Sequence, residues 1–497
     1  MTAIPPSEKR SLSESPIDEK QSIDNSSFNE KPLPLGAPID DHLPFWQRPK
    51  KDINAIATQP SVFDDPASLE TYRPPPNYEN THRFDPRARW TWREEKIIVR
   101  KIDIKIMIWA FIMFFALDLD RSNISQANTD NFLDDLGLTT DDFNLGNTLF
   151  RLSFLIAELP SQLVSKRLGP DVWIPSQMVL WSVVSWSQYW LSGRASFLAT
   201  REASSLTSFC IFPTFIPRTN YQFASLFFWV SNYLTNIVSA FLAVGILRLR
   251  GHNGQAGWRY LFLIEGLVTF LTGLISFVMM PAGPTQTKTW YRPNGWFSER
   301  EEVIMVNRVL RDDPSKSDMH NRQGLSPRMI WEALRDWRMW PLYVLGLVHM
   351  IPTGPPQVYL TLSLRNLGFS TTESSLLSIP AQVIGTLGLI FAAYFSEIVN
   401  SRVLATIILQ IWALPLLIAL YTFNQNVSQW VYYAVVTLIV GFPYVHPVQV
   451  AWVSRNSYSV RTRTVSASVY NIFVQAGAIV YANIYQASDK PLSPCLE

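Results

Sequence analysis

VLATIILQIWALPLLIALYTFNQNVSQWVYYAVVTLIVGFPYVHPVQVAWVS, residues 403–454, contains no Asp, Glu, Lys or Arg; the nearest charges are Arg402 and Arg455. A helix or strand facing water needs a polar face, so a run of this length and composition belongs in hydrocarbon. About 20 apolar residues cross a bilayer, which makes the run too long for one helix. Its polar turn is FNQNVSQ (423–429), dividing it into spans 403–422 and 430–453. Working outward, charge-poor windows of similar length lie at 102–122, 143–164, 172–191, 222–247, 259–280, 339–364, 374–396 and 464–485. A further window, 195–217, is less regular: it holds Arg201 and Glu202 and is interrupted by Pro213 and Pro217.

The composition agrees. Only 16% of the 497 residues are charged, where soluble domains carry about 25%. With 42 Lys+Arg against 40 Asp+Glu, the near-neutral balance argues against a nucleic-acid binder. Cys210 and Cys495 are too few for a disulfide framework or a Cys-rich metal module. No metal-spaced His/Cys/Asp cluster, no G-x-x-x-x-G-K-[ST] and no G-x-S-x-G is present, so no metal site, ATP-driven pump or enzyme is expected.

Residues 1–101 are expected to form a cytosolic tail, disordered over roughly 1–83, where the chain is polar and proline-rich. No apolar leader follows Met1, which predicts a cytosolic amino terminus. In WTWREEKIIVRKIDIK (90–105) the tryptophans Trp90 and Trp92 read as interfacial anchors beside Arg93, Lys96, Arg100, Lys101 and Lys105. The bland alternative is a solvated charged face leading into a helix.

Positive charge should cluster on cytosolic loops. With the tail inside, loop 122–142 is outside, and it carries five Asp residues (130, 134, 135, 141 and 142) and no cation between Arg121 and Arg151. Lys166 and Arg167 then fall inside. The Arg-rich segment 283–338, Arg402, Arg455, Arg461 and Arg463 fall inside only if 195–217 crosses as an atypical fourth helix. The predicted architecture is all-α and membrane-spanning with about 11 spans. A six-helix bundle (102–282) is followed by a central cytosolic loop (283–338) and a five-helix bundle (339–497), one helix short of six plus six. One loop breaks the charge rule: RLRGHNGQAGWR (248–259) puts Arg248, Arg250, Arg259 and His252 outside, where they would concentrate anions at the mouth.

Several segments carry a resemblance. LDRSN (119–123) resembles the Asp-Arg-x-Asn signature of the anion:cation symporters of the major facilitator superfamily. AELPSQLVSKRLGPDVWIP (157–175) is similar to the fungal allantoate permease-like branch. So are WRYLFLIEG (258–266), GWFSEREEVIMVNRVLRDDPSKSDMHNRQG (295–324) and PYVHPVQVAWVSRNSYSVRTRTVSASVYNIFVQ (443–475). The superfamily's plan is two six-helix halves around midplane sites. Two departures stand out. EASSLTSFCIFPTFIPRTNYQF (202–223) replaces a Gly-rich helix, with Ser208 where the family's proton-coupling Glu would fall, and no twelfth helix is expected in the residues after Tyr485.

An ionised side chain at mid-bilayer costs on the order of 3 kcal/mol on insertion scales, so those retained should serve a partner or a path. Arg121 lies about 24 Å along the helix from Lys105. Asp120 and Arg121 either flank the interface or, as the resemblance implies, carry a proton and an anionic substrate group. Arg suits a carboxylate or sulfonate by its forked geometry. Glu158, before Pro160, reads as part of an inner gate with Lys166 and Arg167, or as a structural cap; Glu265 reads as interfacial. His349 and His446, each followed by prolines, are hydrogen-bonded core residues or line a cavity between broken helices. Asn123, Asn236, Gln357, Asn471 and Gln475 complete the expected pathway, as pocket donors or interhelical links.

The expected function is proton-coupled import of a small organic anion (allantoate, pantothenate, nicotinate, a vitamin or a sulfonate) by a monomer in the plasma membrane. It would need no cofactor but the proton gradient and no partner but lipid, substrate and protons. The alternative is a non-transporting membrane sensor or an inactive truncated product.

Overall fold

The computed structural model describes residues 34–37, 52–76, 78–206, 221–283, 285–314, 328, 331, 334–399, 401–423, 427–457 and 460–484. Among these the chain is helical, with only two isolated β-bridges. Before the first apolar window come α1 (Pro66–Tyr72) and α2 (Trp92–Ile102). A π-helical turn (Asp103–Met107) then leads without a break into α3 (Ile108–Ala127). After a short α4 (Phe132–Leu136) follow α5 (Thr140–Leu168), α6 (Pro170–Ser187), α7 (Arg194–Leu206), α8 (Tyr221–Ile246) and α9 (Gly257–Met279). A polar helix, α10 (Glu299–Asp312), separates these from the second set.

That set is more broken. The seventh window becomes α11 (Trp340–Val348), α12 (Gly354–Val358) and α13 (Leu360–Asn366), split around Pro352, Pro355 and Pro356. The eighth is α14 (Thr371–Leu377) and α15 (Ile379–Ile398), and the ninth is α16 (Arg402–Ile411) and α17 (Ala413–Thr422). The tenth, expected as one span, is two helices, α18 (Gln429–Val440) and α19 (His446–Asn456). Residues 441–445, with Gly441 and Pro443, do not continue the helix. Last is α20 (Val460–Ala482). Within the described residues every charge-poor window is therefore mainly helix. Among the described residues four helices (Trp229–Leu249, Gly257–Met279, Thr371–Ser396 and Val465–Ala482) are long and apolar enough to cross a membrane by length and composition.

Polar starts are set by local chemistry. Thr91 with Glu94, Thr139 with Asp142, Ser298 with Glu301 and Ser370 with Glu373 form capping boxes that satisfy free N–H groups at four helix starts. The first set packs as α3 on α8 and α9, α6 on α9, and α5 on α7; the two sets meet along α5–α20 and α8–α15. Within the second set α20 lies close to α11. A Cβ on Gly477 would collide with the Leu347 carbonyl oxygen, a backbone atom that cannot swing aside. Gly477→Val should therefore push α20 off α11 and cost about 3 kcal/mol or more, read as lost monodisperse protein on size-exclusion and a lower Tm.

Residues 52–101 depart from the disordered tail that composition suggested. They wrap around α10. Ala57, Trp90, Ile98 and Ile102 bury against Phe297, Ile304 and Met305, and Phe63 against Val306 and Leu310. Trp90 is therefore not a lipid anchor; it is buried, and its Nε1 donates to Glu95 Oε2 at 2.8 Å. Ion pairs fasten the wrap: Lys101–Glu301 at 2.6 Å, Arg83–Glu302 at 2.9 Å, Arg308–Glu95 at 3.1 Å and Arg300–Glu94 at 3.2 Å. Residues 1–33 and 38–51 lie outside the described residues.

This clasp has a defined pH response. Partial burial pushes the Glu301 carboxyl up, but the Lys101 ammonium and the Ser298 N–H outweigh it and hold the group below its ordinary value of 4.5. Glu94 is lowered in the same way, burial being outweighed by the Thr91 N–H and Arg300. A depressed carboxyl contributes stability above its unfolded value and loses it as pH falls through the folded one. Amide exchange over residues 52–91 should be flat from about pH 8 to 5 once corrected for intrinsic rates, and rise below about pH 4.

Candidate functional site

Three arginines of the first set lie over aromatic rings. The Arg121 guanidinium, on α3, lies over Trp181 of α6 (5.4 Å to the ring centroid) and Phe154 of α5 (5.7 Å). Its nearest anion is Asp118, one turn back, at 3.8 Å. Arg121 Nε has no hydrogen-bond partner among the described residues. Asn232 of α8 holds Asp118, donating to its Oδ2 at 2.6 Å. Asp120 points elsewhere: it is buried, and Trp181, Ser185 and Thr269 face it.

Two more arginines extend the cluster. Arg201 of α7 is buried, lies 4.5 Å over Phe150 and donates to Asn147 Oδ1 at 2.9 Å. Phe150 in turn meets Trp181 edge-on at 5.9 Å. Arg151 of α5 donates to Gln475 Oε1 of α20 at 3.3 Å, sits 5.2 Å over Tyr481, and is close enough for its charge to act on Arg201. Among the described residues Arg151 and Arg201 make no ion pair. Cations over ring faces are held without being neutralised, so the cluster keeps net positive charge where the two helix sets meet.

The second set presents a histidine–aromatic group. His349 follows α11 at its break, and His446 opens α19. Their rings stack at 6.0 Å and 15°. His446 meets Trp229 of α8 edge-on at 4.6 Å, and the Tyr470 hydroxyl lies 3.1 Å from His446 Nδ1 while donating to Gln449 Oε1 at 2.7 Å. His349 Nδ1 lies 3.0 Å from the Gly346 carbonyl, and its Nε2 has no partner among the described residues. Both histidines thus stand at helix breaks, as their prolines suggested.

The remaining expected residues are dispersed. Asn123 is buried, and its Nδ2 meets no acceptor among the described residues. Asn236 donates to Gln382 Oε1 at 3.4 Å, bridging α8 and α15. Gln357 is exposed on α12, and Asn471 lies on α20, partly buried. Of the three gate residues Arg167 is exposed, while the Glu158 and Lys166 side chains lie outside the described residues. Ser208 is also outside them.

Two expectations are corrected. Glu265 is not interfacial but fully buried (0% exposed). The arginines of 248–259 do not form a free cationic patch. Arg250 pairs with Asp130 at 2.7 Å and Asp135 at 2.5 Å, and Arg259 donates to the carbonyls of Tyr189 and Leu191. Arg248 and His252 remain exposed there. Arg151 was missed outright, although a lone cation inside an apolar window is a signal available from sequence.

The helix sets are tied together at the end where α3 finishes. Thr361 Oγ1 donates to the Ser125 carbonyl at 2.9 Å, Thr371 Oγ1 to the Thr129 carbonyl at 2.9 Å, and Asn483 Nδ2 to Thr148 Oγ1 at 2.8 Å. The Tyr359 hydroxyl donates to Asn144. These four hydrogen bonds bridge the two sets at that end.

Comparison with known proteins places these features in context. The family model described as Major Facilitator Superfamily matches residues 110–482. The uncharacterized transporter YIL166C of Saccharomyces cerevisiae is 41% identical over 452 residues, 88% of this chain and 83% of that protein. The MFS-type transporter cnsO of Penicillium expansum is 23% identical over 410 residues, 80% of this chain and 78% of its own. A crystal structure of a bacterial homolog to the human lysosomal transporter Spinster, inward-facing and occupied, superposes with a TM-score of 0.54 at 15% identity. It covers 76% of this chain and 79% of that one.

Proposed function

The chain belongs to the Major Facilitator Superfamily and is a multi-pass membrane transporter, and on that footing we propose that it imports a small organic anion together with protons by alternating access. The substrate is a carboxylate or sulfonate. The observation that carries this reading is the cluster of Arg121, Arg151 and Arg201, held over aromatic faces with one long ion pair among the three. An anion entering it gains charge-assisted hydrogen bonds that the protein leaves open at Arg121 Nε. The segments quoted above support placement in the anion:cation symporter family, in its allantoate permease-like branch.

In this reading the end bridged by these hydrogen bonds is the outer gate and the clasp around α10 is cytosolic. Glu158, Lys166 and Arg167 line the inner gate, and the protein works as a monomer in the plasma membrane. Asn123, Asn236, His349, Gln357, His446, Asn471 and Gln475 face the pathway. The test is uptake by cells expressing the chain, offered labelled allantoate, pantothenate, nicotinate and 2-hydroxyethanesulfonate. Uptake of at least one should rise as external pH falls from about 7 to 5, where a proton-coupled importer gains driving force. Uptake of none, or of organic cations instead, would contradict the proposal.

A further inference from the structure

The packing of α3 against α9 brings two carboxyl groups together away from any counter-ion. Two contacts fix the antiparallel register. Trp109 Nε1 donates to Ser276 Oγ at 3.1 Å, and Thr269 Oγ1 donates to the Ala116 carbonyl at 2.9 Å. One turn further along α3 from Ala116 is Asp120, and one turn back along α9 from Thr269 is Glu265. Beyond them the Trp258 N–H donates to Asp130 Oδ2 at 3.0 Å, so the register holds to the end of the pair. Asp120 is 5% exposed and Glu265 is 0% exposed, and the charge of Asp120 acts on Glu265. None of the four carboxyl oxygens accepts a hydrogen bond from a described residue.

No cation among the described residues is placed to neutralise them. On α3, Arg121 faces Asp118 and the rings of Trp181 and Phe154. On α9, Arg259 donates to two carbonyls. Asp130, at the far end, is bound by Arg250. The helix α6 contributes one charged residue, Asp171, at its opposite end, and α8 contributes none. The turn after α8 carries Arg248, exposed. Asp103 and Lys105 precede α3, and Arg365 of α13 donates to the Phe369 carbonyl.

Two carboxylates without a counter-ion in one buried interface are not sustainable; like charges at such a site force one group to keep a proton. We propose that Glu265 is a proton-carrying residue of the transport cycle, sharing one proton with Asp120 across the α3–α9 interface. The proposal rests on the proton-coupled reading above and supplies the carboxyl that Ser208 does not. Loss of the shared proton sets two negative charges against each other, loosening α9 from α3 next to Arg121. A proton arriving from outside closes the pair again. Coupling then runs through helix packing adjacent to the residue that meets substrate.

The test reads the proton directly. Purified full-length protein carrying isotope-labelled glutamate, in lipid nanodiscs, is titrated by infrared spectroscopy. A protonated glutamate carboxyl should persist at about pH 7, and Asp120→Asn should lower its midpoint by at least about one unit, since a like charge has been removed. A wild-type protein whose glutamates are all ionised at that pH overturns the proposal without needing any variant, and so does an unmoved midpoint. In proteoliposomes loaded with the four labelled anions named above, Glu265→Gln should lose gradient-driven accumulation by about 10-fold or more while keeping substrate exchange, and Glu265→Asp should recover part of it. A shared proton with gradient-independent wild-type uptake would overturn the proton-coupled reading and the transport role of Glu265 with it. Gradient-driven wild-type uptake with no shared proton would overturn the role of Glu265 alone.

Discussion

Replacing Arg121 with alanine should cut uptake of the transported anion by about 30-fold or more, the consequence of removing a partly buried charge worth about 2–5 kcal/mol to a bound counter-charge. The effect should fall on transport and not on folding. The guanidinium side chain keeps 33% of its exposure and has one ion pair, at 3.8 Å, so its removal leaves little of the fold unsatisfied. Asp118 stays bound to Asn232. Arg121→Lys keeps the charge but loses the planar fork that matches a carboxylate or sulfonate, and should fall between wild type and alanine. Uptake measured beside surface expression and a size-exclusion profile separates the two effects.

The second large effect lies far from the site. Arg311, on α10, is 4% exposed at its side chain; it donates to the Gln59 carbonyl at 2.9 and 3.0 Å, to the Pro86 carbonyl at 3.2 Å, and to Asp64. Arg311→Ala removes all of these and leaves buried acceptors behind, a change of about 3–5 kcal/mol by analogy with other broken buried pairs. Residues 52–91 should come away from α10 and become cleavable at least about 100-fold faster under native conditions. Lysine should not rescue, because one ammonium cannot span three acceptors at separate points.

Much of the helical framework is written locally in the sequence, and the long-range packing is not. Within the described residues the apolar windows are mainly helical, because the absence of charge is a local property, readable without knowing what packs against what. The breaks at His349 and His446 were foreshadowed by prolines, again a local signal. The clasp was not legible. Residues 52–91 are polar and proline-rich, and their order comes from partners more than two hundred residues away, such as Arg83 with Glu302 and Asp85 with Asn307. Composition alone reads such a segment as unable to fold. It can do so because α10 and the turn before it supply Phe297, Ile304, Met305 and Leu310 as a ready apolar surface.

Glu265 fails for a related reason. Its distance in sequence from Trp258 and Arg259 suggests a boundary, but the register of α9 on α3 and α6 decides its burial, and register is a property of the pair. The outer arginines were misjudged likewise: Arg250 looks like free charge until Asp130 and Asp135 arrive from α3's far end and α4. By contrast Asp120 and Arg121 stood out as charges in an apolar helix, and both lie in aromatic-lined surroundings.

The proposed transport couples an anion to the proton gradient. The most direct measurement uses purified protein in sealed proteoliposomes with an imposed inward proton gradient, no ATP, and the labelled anion at equal concentration on both sides. The expected result is accumulation above the starting ratio, collapse of that accumulation on adding a protonophore, and no accumulation with Arg121→Ala. Accumulation that ignores the gradient, or flux that never exceeds equilibration, would contradict it.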